Sequence, residues 1–585
     1  MNAVRHAAAH HTSGSRTGSR RVGATVHLTG RTARALDMGR GRLALAGIMI
    51  ALAFLAVAGR TLEVAVLRGA DEPALAAAAP AAAAVPGGRA DIVDRNGVLL
   101  ATSLPSASLY ADPKLVLDPE RAARRLVAVL PRLDESTLAR KLAEPRRFVW
   151  IERGLTPEEV YRVNALGIPG LAFETEQRRI YPAGRLAAHV VGFTDVDGRG
   201  LAGVERSQEA RLTGSAEPLR LTLDLRLQEI VTEELAAAIA EFSAIGGAAV
   251  VLEADTGAVR AMVSLPTFDP YDAGEESDDG RFNRATLGVY EMGSTFKVFN
   301  TAMALDTGTT TLREGYDATD PIRVGRFTIR DFHPEKRWLS TAEILLHSSN
   351  IGSVRMALDV GTETQRDYLS RFGMTRRSPI ELPEVGAPMV PEPWREINTM
   401  TIAFGHGMAV SPMQLVSGVA TAVNGGVLYP PTLLEDHGPA AGRRVIAPET
   451  SQTMRRLLRL VVEEGTGQNA DADGYVVGGK TGTAEKSVPR GYDGNARLSS
   501  FVAAFPMTDP DFVVFAMLDE PKGTERTYGY ATGGWTAAPV VRRVIERMGP
   551  MIGRMPVDET APEIVEALHV DIPGRAESRL AAYSE

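Results

Sequence analysis

The pattern of apolar and polar positions divides the chain into six stretches of different character. Residues 1–42 are rich in Arg, Ser, Thr, Gly and His with little apolar pattern, which reads as a disordered basic tail. Leu43 to Gly59 is 17 residues with no charge. As a helix that run spans about 26 Å, slightly short of a ~30 Å hydrocarbon core. Arg60 can snorkel, and Leu62 to Leu67 extend the span, so a membrane anchor is expected over 43–66. The competing reading is a cleaved signal peptide, whose apolar core is usually shorter and whose charged lead is far shorter than 42 residues. Arg40 and Arg42 lie nearest the run and keep the N-terminus in the cytoplasm, so everything after residue 60 is outside. Pro73 to Gly88 is nearly all alanine and proline, a semi-stiff spacer within a linker over 67–88.

Residues 89–219 mix short strands, helices and turns. Asp94-Arg95-Asn96-Gly97 is a turn between apolar runs, and Asp118 to Leu130 and Thr156 to Asn164 have helical patterns. Tyr181-Pro182-Ala183-Gly184 breaks the chain before Ala187 to Gly192. No residue pair in this region has catalytic spacing, which fits a structural module. Residues 220–550 open on Leu221 to Asp224 and a helix from Leu227 to about Phe242. A hairpin follows, Ala248 to Glu253 and Ala258 to Ser264 around Asp255-Thr256-Gly257. Near the end lie three strand patterns, Tyr475 to Thr483, Ser500 to Phe505 and Phe512 to Leu518, then a closing helix from Ala537 to Met548. Strands at both ends with helices between predict one sheet built from sequence-distant pieces. Residues 551–585 read as an acidic, weakly patterned tail.

Composition sharpens this picture. The net charge of −8 is uneven: residues 1–42 hold eight arginines against Asp37. That split points to two compartments and not to nucleic acid. There is no cysteine, so disulfides, thiolate metal sites and cysteine nucleophiles are excluded. Only seven lysines stand against 57 arginines. Arginine keeps its proton inside a protein, whereas lysine can act as a base. The few lysines are therefore candidates for work arginine cannot do.

Two of them fall in chemical settings. Lys297 closes Ser294-Thr295-Phe296-Lys297, the one Ser-x-x-Lys of the chain. Gly293 permits a tight approach, and Thr295 to Leu305 is helical in pattern, so Ser294 sits at a helix start with Lys297 one turn on. A neutral Lys297 would take the serine proton. Moving its pKa from ~10.4 to near 7 is about 4 kcal/mol, which burial and a neighbouring cation can supply. Lys480, opening Lys480-Thr481-Gly482-Thr483, is the candidate neighbour. Ser348-Ser349-Asn350 lies in a break between two apolar helices, where Ser348 could relay a proton and Asn350 could hold a substrate amide. Thr483 and Ser294 N–H groups could together form an oxyanion hole. Each motif alone also has a plain reading: a capped surface helix, caps between helices, a solvated strand-end lysine.

In the order Ser-x-x-Lys, Ser-x-Asn, Lys-Thr-Gly the three motifs form the penicillin-recognising set. The chain resembles the class B penicillin-binding proteins over roughly residues 43–550. Arg89 to Gly97, Tyr181 to Gly184 with His189 to Gly192, and Gly203-Val204-Glu205 are similar to that family's pedestal signatures. Tyr290 to Ser294 is close to its nucleophile segment, with Met292 where proline is usual. Phe404 to Pro412 with Gln414-Leu415 looks like the division-specific (septal) branch, with the elongation branch as the alternative. His406 in that stretch reads as structural.

The resemblance implies a multidomain α+β fold. Its parts are a single N-terminal transmembrane helix, an elongated α+β pedestal (dimerisation-type) domain over 89–219, and a transpeptidase domain over 220–550 with an antiparallel sheet flanked by helices. It implies a peptidoglycan D,D-transpeptidase of the inner membrane, facing the periplasm and needing no cofactor or metal. Ser294, Lys297, Ser348 and Lys480 would be catalytic. Asn350, Thr481, Gly482 and Thr483 would bind substrate, and Lys480 with the Thr481 and Thr483 hydroxyls would bind the terminal carboxylate. Expected partners are stem peptides ending in D-Ala-D-Ala, β-lactams held covalently, and a membrane-embedded glycan polymerase with other division proteins. Competing functions are a β-lactamase and a non-catalytic β-lactam sensor or division scaffold. A bifunctional polymerase is disfavoured, because residues 89–219 are too short for a glycosyltransferase domain.

Overall fold

The structure is a computed structural model that describes residues 88–572 except 326, 436–440 and 489–490, together with 48, 49, 51, 52, 54 and 55. Those six are helical. The rest of the expected anchor 43–66, the basic tail 1–42, nearly all of the linker 67–88 and residues 573–585 lie outside the described residues. Among the described residues, no helix is long and apolar enough to cross a membrane.

Two units separate at Val85/Pro86. In the second, the pedestal sheet is built on one long strand. Its order is β3-β2-β1-β5, with β4 also pairing β2 (β1 Ile92–Val93, β2 Leu99–Ala111, β3 Val149–Leu155, β4 Leu171–Ile180, β5 Leu219–Arg220). Three helices start on side-chain caps: α1 (Pro119–Val129) on Asp118, α2 (Glu135–Leu142) on Asp134, and α3 (Pro157–Ala165) on a Thr156/Glu159 capping box. They bury Leu126, Leu138, Leu142 and Val163 against Leu109, Ile151 and Leu155 of the sheet.

The motifs of this region, scattered over more than a hundred residues, converge. Glu205 is fully buried and accepts from Arg89 Nε and Arg179 Nε. A Cβ on Gly192 would fall 1.9 Å from the Ala202 carbonyl oxygen, so the two glycine motifs pack backbone on backbone. Asp94 accepts from Asn96 N and Val98 N at 2.8 Å, closing the predicted turn, and from Leu225 N at 3.1 Å. That last bond ties the turn to the start of α4 (Leu225–Glu241).

The second sheet is assembled as the pattern predicts, from both ends of its region. The order is β8-β9-β10-β6-β7, all antiparallel (β6 Gly246–Glu253, β7 Val259–Leu265, β8 Gly478–Val488, β9 Gly491–Phe505, β10 Phe512–Asp519). Central β10 is buried on both faces: Val513, Phe515 and Met517 enter one core, Val514, Ala516 and Leu518 the other. One face carries α4 and α11 (Ala538–Met551). The other carries α5 (Lys297–Asp306), α6 (Thr341–Leu346), α7 (Asn350–Val360), α8 (Glu396–Ile402), α9 (Pro412–Val423) and α10 (Pro448–Glu464). Strand β8, with the Lys-Thr-Gly motif, is an edge.

The stretch expected as an acidic tail is structured over its described residues, 551–572. It forms α12 (Pro562–Leu568) and buries Val570 and Ile572 in the same core as α10. Glu559 accepts from buried Arg459 on α10 and from Val476 N, both at 2.7 Å. Val476 leads into β8 with φ +49°, a conformation a β-branched residue adopts only when its surroundings impose it. Apolar positions here are too sparse to show a period.

Candidate functional site

The nucleophile turn is shaped by backbone contacts from two sides. Gly293 has φ +55°, and a Cβ there would lie 2.5 Å from the Thr483 carbonyl oxygen, so only glycine lets β8 come this close. On the other side Gly293 N donates to Gly405 O (3.2 Å), Tyr290 and Val410 exchange backbone hydrogen bonds, and Gly407 N donates to Glu291 Oε1 (2.7 Å). The Phe404 to Pro412 stretch, including half-buried His406, thus braces the turn. Burial holds the His406 imidazole below its usual pKa. Met292, the departure from proline, accepts from Thr295 Oγ1 at 2.8 Å within the turn.

Gly293–Phe296 forms a 3-10 turn, and the α-helix begins at Lys297. The lysine side chain runs back beside the serine. Its Nζ is 3.1 Å from Ser294 Oγ, 3.1 Å from Ser348 Oγ, 2.7 Å from Asn350 Oδ1 and 2.5 Å from the Ser348 carbonyl oxygen. Lys297 is 1 % exposed. Burial holds it well below its ordinary value, the Lys480 charge adds to that, and Asp331 pulls the other way. A neutral amine has two N–H donors and one lone pair. The Ser348 carbonyl and Asn350 Oδ1 can only accept, so they take both donors. The lone pair is left for a hydroxyl. The Asn350 orientation is fixed independently, because its Nδ2 donates to the Arg330 carbonyl at 2.8 Å.

Lys480, from β8, is 0 % exposed, and burial lowers its pKa to about 7. Its Nζ lies 3.0 Å from Ser348 Oγ and 3.2 Å from Thr481 Oγ1. Fully buried, it meets those two hydroxyls. Thr481 Oγ1 is 2.9 Å from Thr466 Oγ1, and Thr483 Oγ1 accepts from Gly533 N at 3.1 Å. Gly482 is packed so closely that a Cβ would meet Ser500 Oγ at 2.3 Å. All the sequence-derived candidates therefore lie in or directly against one cluster. Asn350 has a further part that its motif does not announce: its amide is engaged with Lys297 and Arg330.

Two groups that no spacing singles out also belong here. Thr466 precedes the Lys-Thr-Gly strand by a loop, and Asp331 accepts from Ser349 Oγ at 2.8 Å. Neither sits in a short motif. Among the described residues no cluster of His, Asp or Glu could hold a metal ion.

A buried lysine beside a serine at a helix start, with a second lysine on an adjacent edge strand, defines a serine acyl-transfer site. The chain belongs to the penicillin-binding protein transpeptidases: the family of penicillin binding protein transpeptidase domains matches residues 247–546, and that of penicillin-binding protein dimerisation domains matches 84–236. It is 40% identical over 484 residues to the probable peptidoglycan D,D-transpeptidase FtsI of Caulobacter vibrioides, spanning 80% of this chain and 82% of that one. It is 33% identical to the probable peptidoglycan D,D-transpeptidase PenA of Neisseria gonorrhoeae, over 82% of this chain and 86% of that one. The crystal structure of penicillin binding protein 3 from Mycobacterium tuberculosis complexed with aztreonam superposes with a TM-score of 0.64 at 26% identity. That likeness covers 81% of this chain and 97% of that one.

Proposed function

We propose that this protein is a peptidoglycan D,D-transpeptidase that cross-links stem peptides through an acyl-enzyme on Ser294, at the division septum. The observation that carries the reading is the Lys297 amine, 3.1 Å from Ser294 Oγ, with both its hydrogens drawn to fixed acceptors. In the first step Lys297 takes the Ser294 proton as Oγ bonds to the carbonyl carbon between the two D-alanines. Ser294 and Thr483 N–H groups receive the developing oxyanion. The C–N bond breaks, and the leaving D-alanine nitrogen takes a proton through Ser348 Oγ, which Lys297 and Lys480 both reach. An amine of a neighbouring stem then attacks the ester, returns its proton through the same groups and releases Ser294. The positive charge of Lys480, carried forward by Thr481, together with the Thr483 hydroxyl, favours the terminal carboxylate. A β-lactam offers the same acyl carbon and would leave Ser294 acylated.

The FtsI and PenA relatives carry names of this activity, which supports the reading, and the Phe404 to Pro412 stretch supports the septal branch. An anchor over 43–66, a periplasmic catalytic domain and a membrane-embedded glycan polymerase as partner belong to the same proposal. Labelling of the full-length chain by a fluorescent penicillin tests it. Ser294→Ala should abolish labelling; a labelled Ser294→Ala protein rejects the nucleophile, and rapid turnover of a chromogenic cephalosporin makes the protein a β-lactamase. In cells the label should gather at midcell.

A further inference from the structure

Ser348 stands at φ +57°, a conformation that a residue with a side chain holds only where its neighbours impose it. From the N-terminal side, Ser348 N donates to Leu345 O at 3.3 Å and Ser349 N to Ile344 O at 2.9 Å, finishing α6. From the C-terminal side the hold comes from outside both helices. Asp331 lies in the loop before α6. Its Oδ2 accepts from Ser349 Oγ at 2.8 Å, and its Oδ1 accepts from Asn350 N and, at 2.9 Å, from Ile351 N. Those two N–H groups open α7 and have no acceptor within the helix, and a carboxylate is favoured at that end. The preceding residue adds a second point of attachment, since the Arg330 carbonyl takes Asn350 Nδ2 and so turns Oδ1 toward Lys297.

We propose that Asp331 is the positioning residue that fixes the Ser348–Asn350 turn, and through it the Lys297 amine, in reacting geometry. The proposal rests on Ser294 as nucleophile and Lys297 as base. Three of the four groups around Lys297 Nζ, the Ser348 carbonyl, Ser348 Oγ and Asn350 Oδ1, belong to the turn that Asp331 holds. The charged groups acting on Lys297 are Lys480 from β8 and, with opposite sign, Asp331. His406 faces it from the turn after α8, with Glu291 and Glu485 acting on His406 in turn. Asp331 therefore both sets the geometry of the base and offsets the field of Lys480.

The test is the second-order rate of acylation of the full-length chain by a fluorescent penicillin, from about pH 5 to about pH 9, the range over which a general base is read. Asp331→Asn keeps an oxygen for the two N–H groups but loses the charge. Its rate should fall about tenfold, on the scale of a lost supporting contact, and its acid limb should move to lower pH, because the charge that favoured the protonated amine is gone. Asp331→Ala should lose about a hundredfold. Asp331→Glu, which restores the charge on a longer stem, should lose rate with the acid limb in place, and it carries the comparison if the alanine variant does not fold. A purely structural carboxylate would leave the limb unmoved in all three. Rates within twofold of the parent in both Asn and Ala variants, or an Asn variant with an unshifted limb, overturn the proposal. Ser294→Ala, measured alongside, separates the two readings: labelling that survives it refutes the nucleophile, whereas normal labelling of the Asp331 variants with none in Ser294→Ala refutes only the role of Asp331.

Discussion

Lys297 and Lys480 meet at one hydroxyl: their Nζ atoms lie 3.1 and 3.0 Å from Ser348 Oγ. Two buried ammonium groups so close cannot both stay charged cheaply, and they titrate as a pair. On the proposed mechanism acylation needs Lys297 neutral, so the rate should rise with pH through its lowered value. Carboxylate recognition needs Lys480 charged, so the rate falls above about 7. A bell-shaped profile is expected. Lys480→Gln removes a cation that lowers Lys297, so the acid limb should move to higher pH and the alkaline limb should vanish. Acylation rates across pH for both proteins check this, and an unmoved acid limb would contradict it.

Lys297→Arg keeps the charge and loses the base. The guanidinium cannot release a proton in a protein. Acylation should fall by about 10²- to 10⁴-fold, the usual worth of a positioned general base. Stopped-flow labelling with the melting temperature recorded in parallel distinguishes this from misfolding; near-normal acylation would remove Lys297 from the mechanism.

Gly293→Ala should fail twice over. Its φ of +55° disfavours a side chain, and the added carbon would lie 2.5 Å from the Thr483 carbonyl. The strain costs about 1–3 kcal/mol. It would be relieved by pushing β8 away from Ser294. Denaturant unfolding should show the loss of stability, and labelling should be slower than that loss explains. A variant that labels at the parent rate would mean the close approach is dispensable.

Glu205 lies between Arg89 and Arg179, and all three side chains are at most 6 % exposed. Glu205→Ala leaves the buried Arg179 guanidinium without its carboxylate, while Arg89 keeps Glu209; removing one partner of a buried pair typically costs about 3–5 kcal/mol. Unfolding should begin earlier, while Ser294 labelling below the transition stays near the parent rate. Lost labelling in a folded variant would show that the pedestal network reaches the active site.

Much of this architecture is legible where local chemistry and tertiary demand agree. Asp118 and Thr156 announce their helices because a side-chain oxygen before an amphipathic run caps it. Lys297 and Lys480 stand out because the rest of the chain uses arginine. The start of β9 is hidden because Gly491 to Arg497 has no alternation to read. Lys297 opens its α-helix where one full turn before it was expected, since the serine turn is 3-10. Asp331 and Thr466 carry no signal, because a clamp formed across a loop depends on where the chain returns and not on spacing. The hold of the Asn350 amide on Lys297 and Arg330 carries no signal either, because both partners come from distant parts of the chain.

Glu559 lies beyond residue 546, where the matched domain ends, yet it receives Val476 N at the entrance to the Lys480 strand and neutralises the Arg459 guanidinium. A shortened version cut at that boundary would strand the Val476 amide, just before the edge strand that carries Lys480, and would take away one of the carboxylates paired with buried Arg459. Domain limits drawn from kinship and those drawn from folding therefore diverge in this molecule, and an expression design for assays or crystals should keep the chain at least through Ile572.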